Sequence, residues 1–250
     1  MADQIDYDSP VPYYSQLKQI LLEKIHQEVW KVGEALPTQV ELCDQYGVSK
    51  AVVRQALKSL EDEGRITQRR GKVACVAEPK ISGRLLQNLS GTFQDMIELG
   101  YYPTTKIIKN HLVPANPKVA QRMGIPEGTQ VIELERLRFI KEEPFVIIVS
   151  YLPYTLCPEI LHVDLTGKSL LEELKNQYGI VLTSSKRSIE AVIATEYEAK
   201  LLNVKKGAPL LLFTSASLMR GGEPVGTTEA LFRGDRAKFD VEVGQINDIE

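Results

Sequence analysis

Two short helices joined by a tight turn between residues 36 and 64 set the strongest limit on how this chain can fold. Thr38 and Glu41 have the spacing of a capping box, which satisfies free N–H groups at the start of the first helix. Ser49 is placed to cap the second helix, and Gly64 to end it. The second helix carries an apolar stripe at helical spacing: Val53, Ala56, Leu57 and Leu60. Helices this small cannot bury a core alone, so they must pack on neighbouring elements.

The adjacent segments predict a longer helix before this pair and a small hairpin after it. The first helix covers about Tyr13 to Trp30, with apolar residues at spacings of three and four: Tyr14, Leu17, Leu21, Ile25 and Val29. The hairpin joins residues 66–68 to 73–76 through a basic turn, Arg69-Arg70-Gly71-Lys72. A helix–turn–helix followed by a basic hairpin is the pattern of a winged DNA reader. Its third helix enters the major groove, and its wing lies on the backbone or in the minor groove.

Positive charge is concentrated in this region, although the whole chain has a formal net charge of -3. Between Lys50 and Lys72, seven Lys and Arg residues face three Asp and Glu residues, a local balance of 7 - 3 = +4. Lys50 and Arg54 share a helix face away from the apolar stripe. Each charge alone is also typical of a solvated face, but together on neighbouring elements they favour DNA binding. The predicted DNA-contact residues are Thr38, Gln39, Ser49, Lys50, Arg54, Arg69, Arg70 and Lys72.

A series of short motifs here resembles the winged-helix domain of GntR-type bacterial transcriptional regulators. The motifs are P-Y-Y, L-P-T, G-V-S-K, V-R-Q-A-L and E-G-x-I-x-x-R-x-G-K. The rest of the chain resembles their HutC branch, which carries a UTRA effector domain. The resemblance implies DNA contacts at Val40, Lys50, Arg54 and Val73. Val40 and Val73 replace the usual Arg and Gly, and Val52 replaces a usual Thr, so we expect an unusual operator sequence or a weaker affinity.

A change in pattern after residue 76 predicts two domains. Residues 77–84 contain Pro and Gly without a periodic apolar signal, and we interpret them as a linker. The linker separates a winged helix–turn–helix domain, residues 1–76, from an effector-binding and dimerisation domain, residues 85–250. A helix from Thr92 to Leu99 is expected near the start of the second domain.

An internal repeat organises the second domain. The pattern of Ala120, Met123, Ile125, Gly128 and Val131 recurs, with a shift of 204 - 125 = 79 residues, as Ala199, Leu202, Val204, Gly207 and Leu210. Each copy continues into a hairpin marked Glu-Pro and a further strand, and an additional helix is expected between Asp164 and Gly179. Two such halves predict an α+β fold, a largely antiparallel sheet with helices packed on it. Pseudo-symmetric halves commonly leave a cleft that suits a ligand.

The HutC resemblance implies a chorismate-lyase-like fold that binds small metabolites between its halves. Carried over by position, the effector contacts are Ser90, Thr92, Arg136, Arg138, Ser150 and Tyr151. Helix N-terminal N–H groups and arginine side chains are good anion ligands, so we expect a phosphate or carboxylate. The alternative for the two arginines is a sheet face of solvated charge. Ile148, Gly226 and Phe232 stand where relatives often carry Glu or Tyr, which predicts an effector less hydroxylated than a sugar phosphate.

Other classes of site have little support in the sequence. The three Cys and three His residues are scattered and share no metal-ligand spacing, so we expect no disulfide framework, metal or cofactor. The N-terminus is acidic and polar, and no apolar run approaches the ~20 residues of a bilayer span. These features predict a soluble, cytoplasmic protein.

Three functions remain open from the sequence. The first is a ligand-responsive repressor that binds an inverted-repeat DNA operator as a homodimer. The second is a DNA-binding regulator whose second domain only dimerises. The third is an enzyme on a chorismate-lyase-like fold, although we find no nucleophile–base pair, metal set or paired carboxylates for catalysis.

Overall fold

A computed structural model describes residues 4–67, 73–83, 89 and 91–241. The chain divides into two compact units, Met1–Lys80 and Ile81–Glu250. No helix in the described ranges is long and apolar enough to cross a bilayer.

The first unit contains three helices and a short hairpin. The helices are α1 (Tyr13–His26), α2 (Gln39–Tyr46) and α3 (Lys50–Asp62), and the strands are β1 (Ile66–Thr67) and β2 (Cys75–Val76). The strands pair antiparallel, Ile66 with Val76 and Thr67 with Cys75, as the hairpin prediction requires. All three helices contribute to one core with the hairpin, through buried residues Leu17, Leu21, Leu42, Val53, Leu57, Leu60 and Ile66.

Helix α1 ends four residues before the predicted Trp30. Glu28 has a positive φ of 57°, and the N–H of Val29 donates to the carbonyl of Lys24 at 3.0 Å. A left-handed residue just past a helix, with a hydrogen bond reaching back five residues, closes the helix and satisfies its last carbonyls. Glutamate is an unusual residue for that conformation, so no stop signal is visible in the sequence before Gly33.

The second unit is built on a six-stranded antiparallel sheet. Its elements in chain order are β3 (Ile81–Gly83), α4 (Gly91–Glu98), β4 (Thr104–Pro114), α5 (Pro117–Met123), β5 (Gln130–Ile140), β6 (Glu143–Pro153), a 3-10 helix (Pro158–His162), α6 (Leu170–Tyr178), β7 (Leu182–Ile193), α7 (Glu196–Leu202), β8 (Pro209–Met219), β9 (Pro224–Arg233) and β10 (Ala237–Phe239). The strand order is β4-β5-β6-β9-β8-β7. The two repeats therefore meet where β6 pairs with β9, and the predicted α+β fold is confirmed.

Local caps fix the two repeated helices in the same way. Asn116 caps α5 through the N–H of Val119 at 3.0 Å, and Thr195 caps α7 within a full capping box. Both helices end in a left-handed residue, Gly124 in α5 and Asn203 in α7. These caps recur at the same shift as the repeat, since 116 + 79 = 195 and 124 + 79 = 203.

The helices cover both faces of the sheet. Alternate residues of β5 point to opposite faces. Ile132 and Leu134 pack with α6 residues Leu170 and Leu174 on one face. Leu137 packs with α7, and Val131 with α5, on the other face.

Part of the predicted linker is a strand. Within residues 77–84, Ile81–Gly83 forms β3, which pairs in parallel with β10. Ile81 is buried in a cluster with Met96 and Ala237. The partner strand lies more than 150 residues later in the sequence, so no local pattern could reveal the pairing.

Candidate DNA-binding surface and ligand pocket

Side-chain caps hold the helix–turn–helix in place. In α2, the backbone N–H of Thr38 donates to Glu41 Oε2 at 2.7 Å, and the N–H of Glu41 donates to Thr38 Oγ1 at 3.3 Å. Gly47 ends α2 with a φ of 66°, and a Cβ at this position would lie 2.6 Å from the Tyr7 hydroxyl oxygen. Ser49 Oγ accepts from the N–H of Val52 at 3.4 Å and starts α3. These contacts fix the angle at which α3 leaves the turn.

Helix α3 presents a basic face to solvent. Lys50 and Arg54 are exposed, while Val53 and Leu57 are buried in the core. Lys58, one turn further on, pairs with Asp62. Within the described parts of the chain, no carboxylate forms an ion pair with Lys50 or Arg54, so both charges are available to DNA.

Of the other predicted DNA-contact residues, three lie in the described part of the chain and three lie outside it. Thr38 is exposed and Gln39 half-buried at the start of α2, and Ser49 is exposed at the start of α3. Arg69, Arg70 and Lys72 lie outside the described residues. The structure thus brings the α2 and α3 candidates to neighbouring helix starts.

The three valines that depart from the GntR pattern occupy different environments. Val40 is 61 % exposed on α2, and Val73 is 41 % exposed beside the hairpin. Val52 packs against the core of the first unit. Val40 and Val73 place apolar surface where an Arg and a Gly are usual.

A cavity of about 100 Å³ lies on the α4–α6 face of the sheet in the second unit. Three arginines reach it: Arg136 and Arg138 from β5 and Arg187 from β7. Its hydroxyl groups come from Thr92, Ser150, Ser169, Ser215, Ser217 and Thr228, and its apolar wall includes Ile148, Phe213 and Ala230. No described residue lining the cavity carries a carboxylate.

Arg136 and Arg138 are buried, and neither forms an ion pair with a carboxylate in the described part of the chain. They are 4 % and 1 % exposed. Arg136 Nη2 donates to Ser150 Oγ at 3.1 Å, and its Nε is buried without a hydrogen-bond partner in the described structure. Arg138 donates to Thr105 Oγ1 at 3.4 Å and to Thr92 Oγ1. All of these partners are neutral hydroxyls.

Burial also lowers the pKa of both guanidinium groups. Burial lowers the pKa of Arg136 to about 10. It lowers the pKa of Arg138 to about 9, and the positive charge of Arg136 adds to this shift. Both groups therefore remain cationic near neutral pH. Arg138 also lies 5.1 Å from the centre of the Phe93 ring. Two buried cations whose described hydrogen-bond partners are all hydroxyls form a site that an anion would stabilise.

The acidic residues next to these arginines in sequence lie on the opposite face of the sheet. Glu135 accepts from Tyr197 Oη at 2.9 Å and pairs with Lys109 Nζ at 2.8 Å. This pairing raises the pKa of Lys109. Because neighbouring strand residues point to opposite faces, Glu135 cannot neutralise Arg136. The solvated-face interpretation of the two arginines is therefore wrong, since both are buried.

Tyr151 does not lie in the cavity, contrary to the prediction. It packs beside Val113 and Ile125 against the α5 cluster on the other face. Burial and the charge of Glu133 raise its pKa. Ser150 and Tyr151 are adjacent in β6, so only one of them can face the arginines. Ser90 lies outside the described residues.

We expected Ile148, Gly226 and Phe232 to shape the less polar end of the effector site. Of these three residues, only Ile148 lines the cavity. Phe232 packs instead on Phe145 and Phe239, with ring centroids 5.7 and 5.1 Å apart. A Cβ at Gly226 would lie 2.5 Å from the carbonyl oxygen of Tyr151, so this glycine allows β6 and β9 to approach. Phe213 and Ala230, with Ile148, form the apolar wall of the cavity in place of Gly226 and Phe232.

Several cavity residues were missed although the repeat could have located them. Arg136 and Arg138 shifted by 79 fall on 136 + 79 = 215 and 138 + 79 = 217, which are Ser215 and Ser217. Arg187 lies 5.8 Å from the centre of the Phe213 ring and interacts electrostatically with Asp95. The β5 positions that carry arginines are thus small hydroxyls on β8, and the third arginine of the cavity, Arg187, comes from β7 in that second half.

The Arg233-Gly234-Asp235-Arg236 turn is structural. Arg233 pairs with Glu143 at 2.8 Å and with Asp235 at 2.7 Å, and Arg236 pairs with Glu143 at 3.1 Å. It is a salt-bridged turn that ties β9 to the β5–β6 hairpin.

Family comparisons match both parts of this architecture. Residues 98–238 match the UTRA domain, and residues 13–76 match the bacterial regulatory proteins of the gntR family. The chain belongs to the UTRA-domain regulators of the GntR type.

Curated relatives of this regulator cover nearly its whole length. The chain is 28 % identical over 235 residues to the transcriptional repressor NagR of Bacillus subtilis, covering 94 % of this chain and 96 % of that protein. It is 28 % identical over 212 residues to the histidine utilization repressor of Klebsiella aerogenes, covering 85 % and 87 %. The fold is similar to that of PhnF from Mycobacterium smegmatis, with a TM-score of 0.65 and 23 % identity over 92 % of this chain and 99 % of that one. The regulator is therefore a DNA-binding, ligand-responsive transcriptional repressor and not an enzyme.

Proposed function

We propose that this regulator binds an inverted-repeat operator as a homodimer and is released by a small anion held by Arg136 and Arg138. The observation that carries the proposal is the pair of buried guanidinium groups whose hydrogen-bond partners among the described residues are all hydroxyls. A phosphate ester or carboxylate would supply the missing charge and accept the hydrogen bond that Arg136 Nε leaves unmade.

The rest of the cavity limits what the anion carries. Ile148, Phe213 and Ala230 form an apolar wall, and the described lining lacks the carboxylates that bind amines and polyols well. A heavily hydroxylated ligand would leave some of its polar groups unpaired against this wall. We therefore propose an effector with one anionic end and a remainder less hydroxylated than a sugar phosphate.

The DNA contacts follow from the exposed basic face of α3. Lys50 and Arg54 would contact bases or phosphates in the major groove, with Thr38, Gln39 and Ser49 at the two helix starts. Arg69, Arg70 and Lys72 would contact phosphates from the wing. A single helix–turn–helix has a small interface, so useful specificity needs the two half-sites that a homodimer offers.

Helix α4 provides a physical link for regulation in the second unit. Thr92 at its start accepts from Arg138, and Met96 packs in the same cluster as Ile81 of β3. An anion on Arg138 competes with Thr92 and shifts α4 against β3, which follows directly on the DNA-binding unit in sequence. Such a ligand changes DNA affinity only if it binds the two arrangements of the protein unequally.

The test begins with DNA selected from a random duplex pool by the purified protein. Fluorescence anisotropy then measures the affinity for the selected duplex in the presence of phosphate esters, carboxylates and neutral analogues. We expect two inverted half-sites, and at least one anion that weakens DNA binding by about 5- to 150-fold. Arg136→Gln should abolish this response, whereas Arg220→Gln, at an exposed position, should retain it. Selection of single half-sites, or an effector response that Arg136→Gln leaves intact, would contradict the proposal.

A further inference from the structure

The third arginine of the cavity, Arg187, lies across the sheet from the other two. Arg136 and Arg138 belong to β5 and Arg187 to β7, and the strands β6, β9 and β8 lie between them. Four strand spacings place the two backbones about 19 Å apart. Arg187 extends inward from its edge strand, because its guanidinium carbon lies 5.8 Å from the centre of the Phe213 ring on β8. Positive charge therefore reaches the cavity from two opposite sides.

Two neighbouring rows of side chains cross the sheet between these arginines. The first row begins at Arg136 and continues with apolar residues: Ile148, Ala230 and Phe213. The second row consists of hydroxyl residues and ends at Arg187: Ser150, Thr228 and Ser215. All of these residues line the cavity. A ligand that lies along the two rows would contact an apolar surface and hydroxyl groups, with a cation at each end.

Hydroxyl groups hold Arg187 in place at its end of the cavity. Ser185 Oγ accepts from Arg187 Nε at 3.2 Å and from Ser217 Oγ at 3.1 Å. Ser217 lines the cavity and lies opposite Ser185 in the pairing of β7 with β8. Because these hydroxyls are neutral, their contacts position the guanidinium without compensating its charge. A guanidinium held in this way is a preorganised ligand for a carboxylate or phosphate.

Helix α4 interacts with arginines on both sides of the cavity. Thr92, at its start, accepts a hydrogen bond from Arg138. Asp95 lies three residues later on the same helix face, is buried, and interacts electrostatically with Arg187. Burial lowers the pKa of Arg187, and the negative charge of Asp95 opposes this shift. Arg187 therefore already attracts one carboxylate, which belongs to the chain itself.

We propose that the effector carries two separate anionic groups on a short spacer of low polarity, and that Arg187 binds the second group. The inference rests on the proposed function, in which Arg136 and Arg138 bind the first group. The spacer lies along the apolar row, and the second group competes with Asp95 for Arg187. Three arginines and one carboxylate leave an excess of 3 - 1 = 2 positive charges, which such a ligand balances. Dicarboxylates and phosphonocarboxylates have this chemistry.

Pairs of matched ligands test the inference on the full-length protein. Dicarboxylates from succinate to suberate, and phosphonocarboxylates of similar length, are compared by calorimetry with the esters in which one carboxylate is methylated. We expect at least one diacid to bind wild type about 10-fold or more tightly than its ester, as expected for an added charge-assisted hydrogen bond. Arg187→Gln should reduce this preference to less than about three-fold, while the affinity for the ester stays close to that of wild type.

Three further variants distinguish the charge of Arg187 from a structural role. Arg187→Lys keeps the charge and should retain part of the preference for the diacid. Lys186→Gln removes an exposed charge at the neighbouring position, which faces the other side of the sheet, and should leave the preference unchanged. Asp95→Asn removes the competing carboxylate and should raise the affinity for the diacid more than that for the ester. Retained binding of the ester shows that each variant is folded.

The outcomes separate this inference from the proposed function. Diacids that bind no more tightly than their esters, or a preference that Arg187→Gln leaves intact, would show that Arg187 binds no second anion. The proposed function would still stand if Arg136→Gln weakened the binding of the ester. Absence of binding by any anion, or anion binding that Arg136→Gln leaves unchanged, would overturn both.

Discussion

Arg136 and Arg138 combine a cost in stability with the anion binding that we propose for them. A buried charge without a counter-ion destabilises the free protein, and replacement by an apolar residue of similar volume is often stabilising. Among the described residues, Arg136 has one hydroxyl partner, Ser150, and its buried Nε has none. The pair is therefore understandable as a binding site and not as a source of stability.

Arg136→Met should make the ligand-free protein more stable. We expect the free energy of unfolding to rise by about 1–4 kcal/mol, because the substitution removes an uncompensated buried charge and keeps most of the volume. Thermal unfolding followed by circular dichroism measures the change. Arg233→Met is the contrasting variant, since Arg233 pairs with Glu143 and Asp235, and it should lower stability. A loss of stability in Arg136→Met would mean that its charge is compensated.

Anion binding should depend on pH only in the alkaline range. The pKa of Arg138 is lowered to about 9, so its charge is complete at neutral pH and is lost as pH rises through that value. Affinity for a carboxylate should be constant between about pH 6 and 8, where its own charge is complete, and should fall above about pH 9. The stability of the ligand-free protein has the opposite dependence on pH. An unfolded arginine keeps its proton longer, so this group's contribution to the free energy of unfolding increases with pH above about 9. Calorimetry across this pH range measures the affinity for the carboxylate. The Arg138→Gln variant should lack the decrease in affinity at alkaline pH.

Arg54 should contribute to DNA specificity. Arg54→Ala should cost about 1–3 kcal/mol of binding to the selected operator and relax the preference for one base pair. Lys58→Ala, on the same helix but paired with Asp62, is the matched control and should change binding little. Lys72→Ala should weaken binding to all sequences alike and flatten its salt dependence. Gel-shift titrations on the operator and on scrambled DNA separate these cases, and equal operator binding by wild type and Arg54→Ala would contradict the assignment.

At the scale of elements, the junction between the two repeats depends on a glycine. Gly226 lies where β9 meets β6, and a Cβ there would lie 2.5 Å from the Tyr151 carbonyl oxygen. Gly226→Ala should therefore destabilise the second unit by about 1–3 kcal/mol, because the strands must move apart. Gly221→Ala is a useful contrast. Its Cβ would meet open space, so only its positive φ of 98° opposes the change. Chemical denaturation measures both, and equal stability of Gly226→Ala and wild type would show that the junction is pliable.

Elements with local signals were predictable from the sequence, and long-range pairings were not. The cap at Ser49 and the repeated caps of α5 and α7 are set by neighbours within four residues. The pairing of β3 with β10 joins segments more than 150 residues apart, so residues 81–83 appeared to be linker. The residues of the cavity follow the same distinction. The alternation of side chains along a strand predicts that Arg136 and Arg138 share a face of the sheet. The same alternation places Tyr151 on the opposite face, because its neighbour Ser150 faces the cavity.

At the scale of the whole molecule, DNA recognition should require two half-sites. A homodimer on an inverted repeat gains both interfaces, whereas one winged domain alone gives weak specificity. We expect the affinity for a full inverted repeat to exceed that for a single half-site by at least about 100-fold at the same salt concentration. Anisotropy titrations on duplexes with one half-site intact and the other scrambled provide the control. Equal affinity for the two duplexes would indicate that the protein binds as a monomer.

Calorimetry of wild type and Arg136→Gln against matched ligands tests the central claim most directly. The ligands are phosphate esters, carboxylates and their neutral analogues, so that each pair differs only in the anionic group. We predict that an anion with an apolar remainder binds wild type and that Arg136→Gln weakens this binding by at least about 30-fold, as expected for a buried charge-assisted hydrogen bond. Tight binding of a neutral polyol, with the same affinity in Arg136→Gln, would contradict the account.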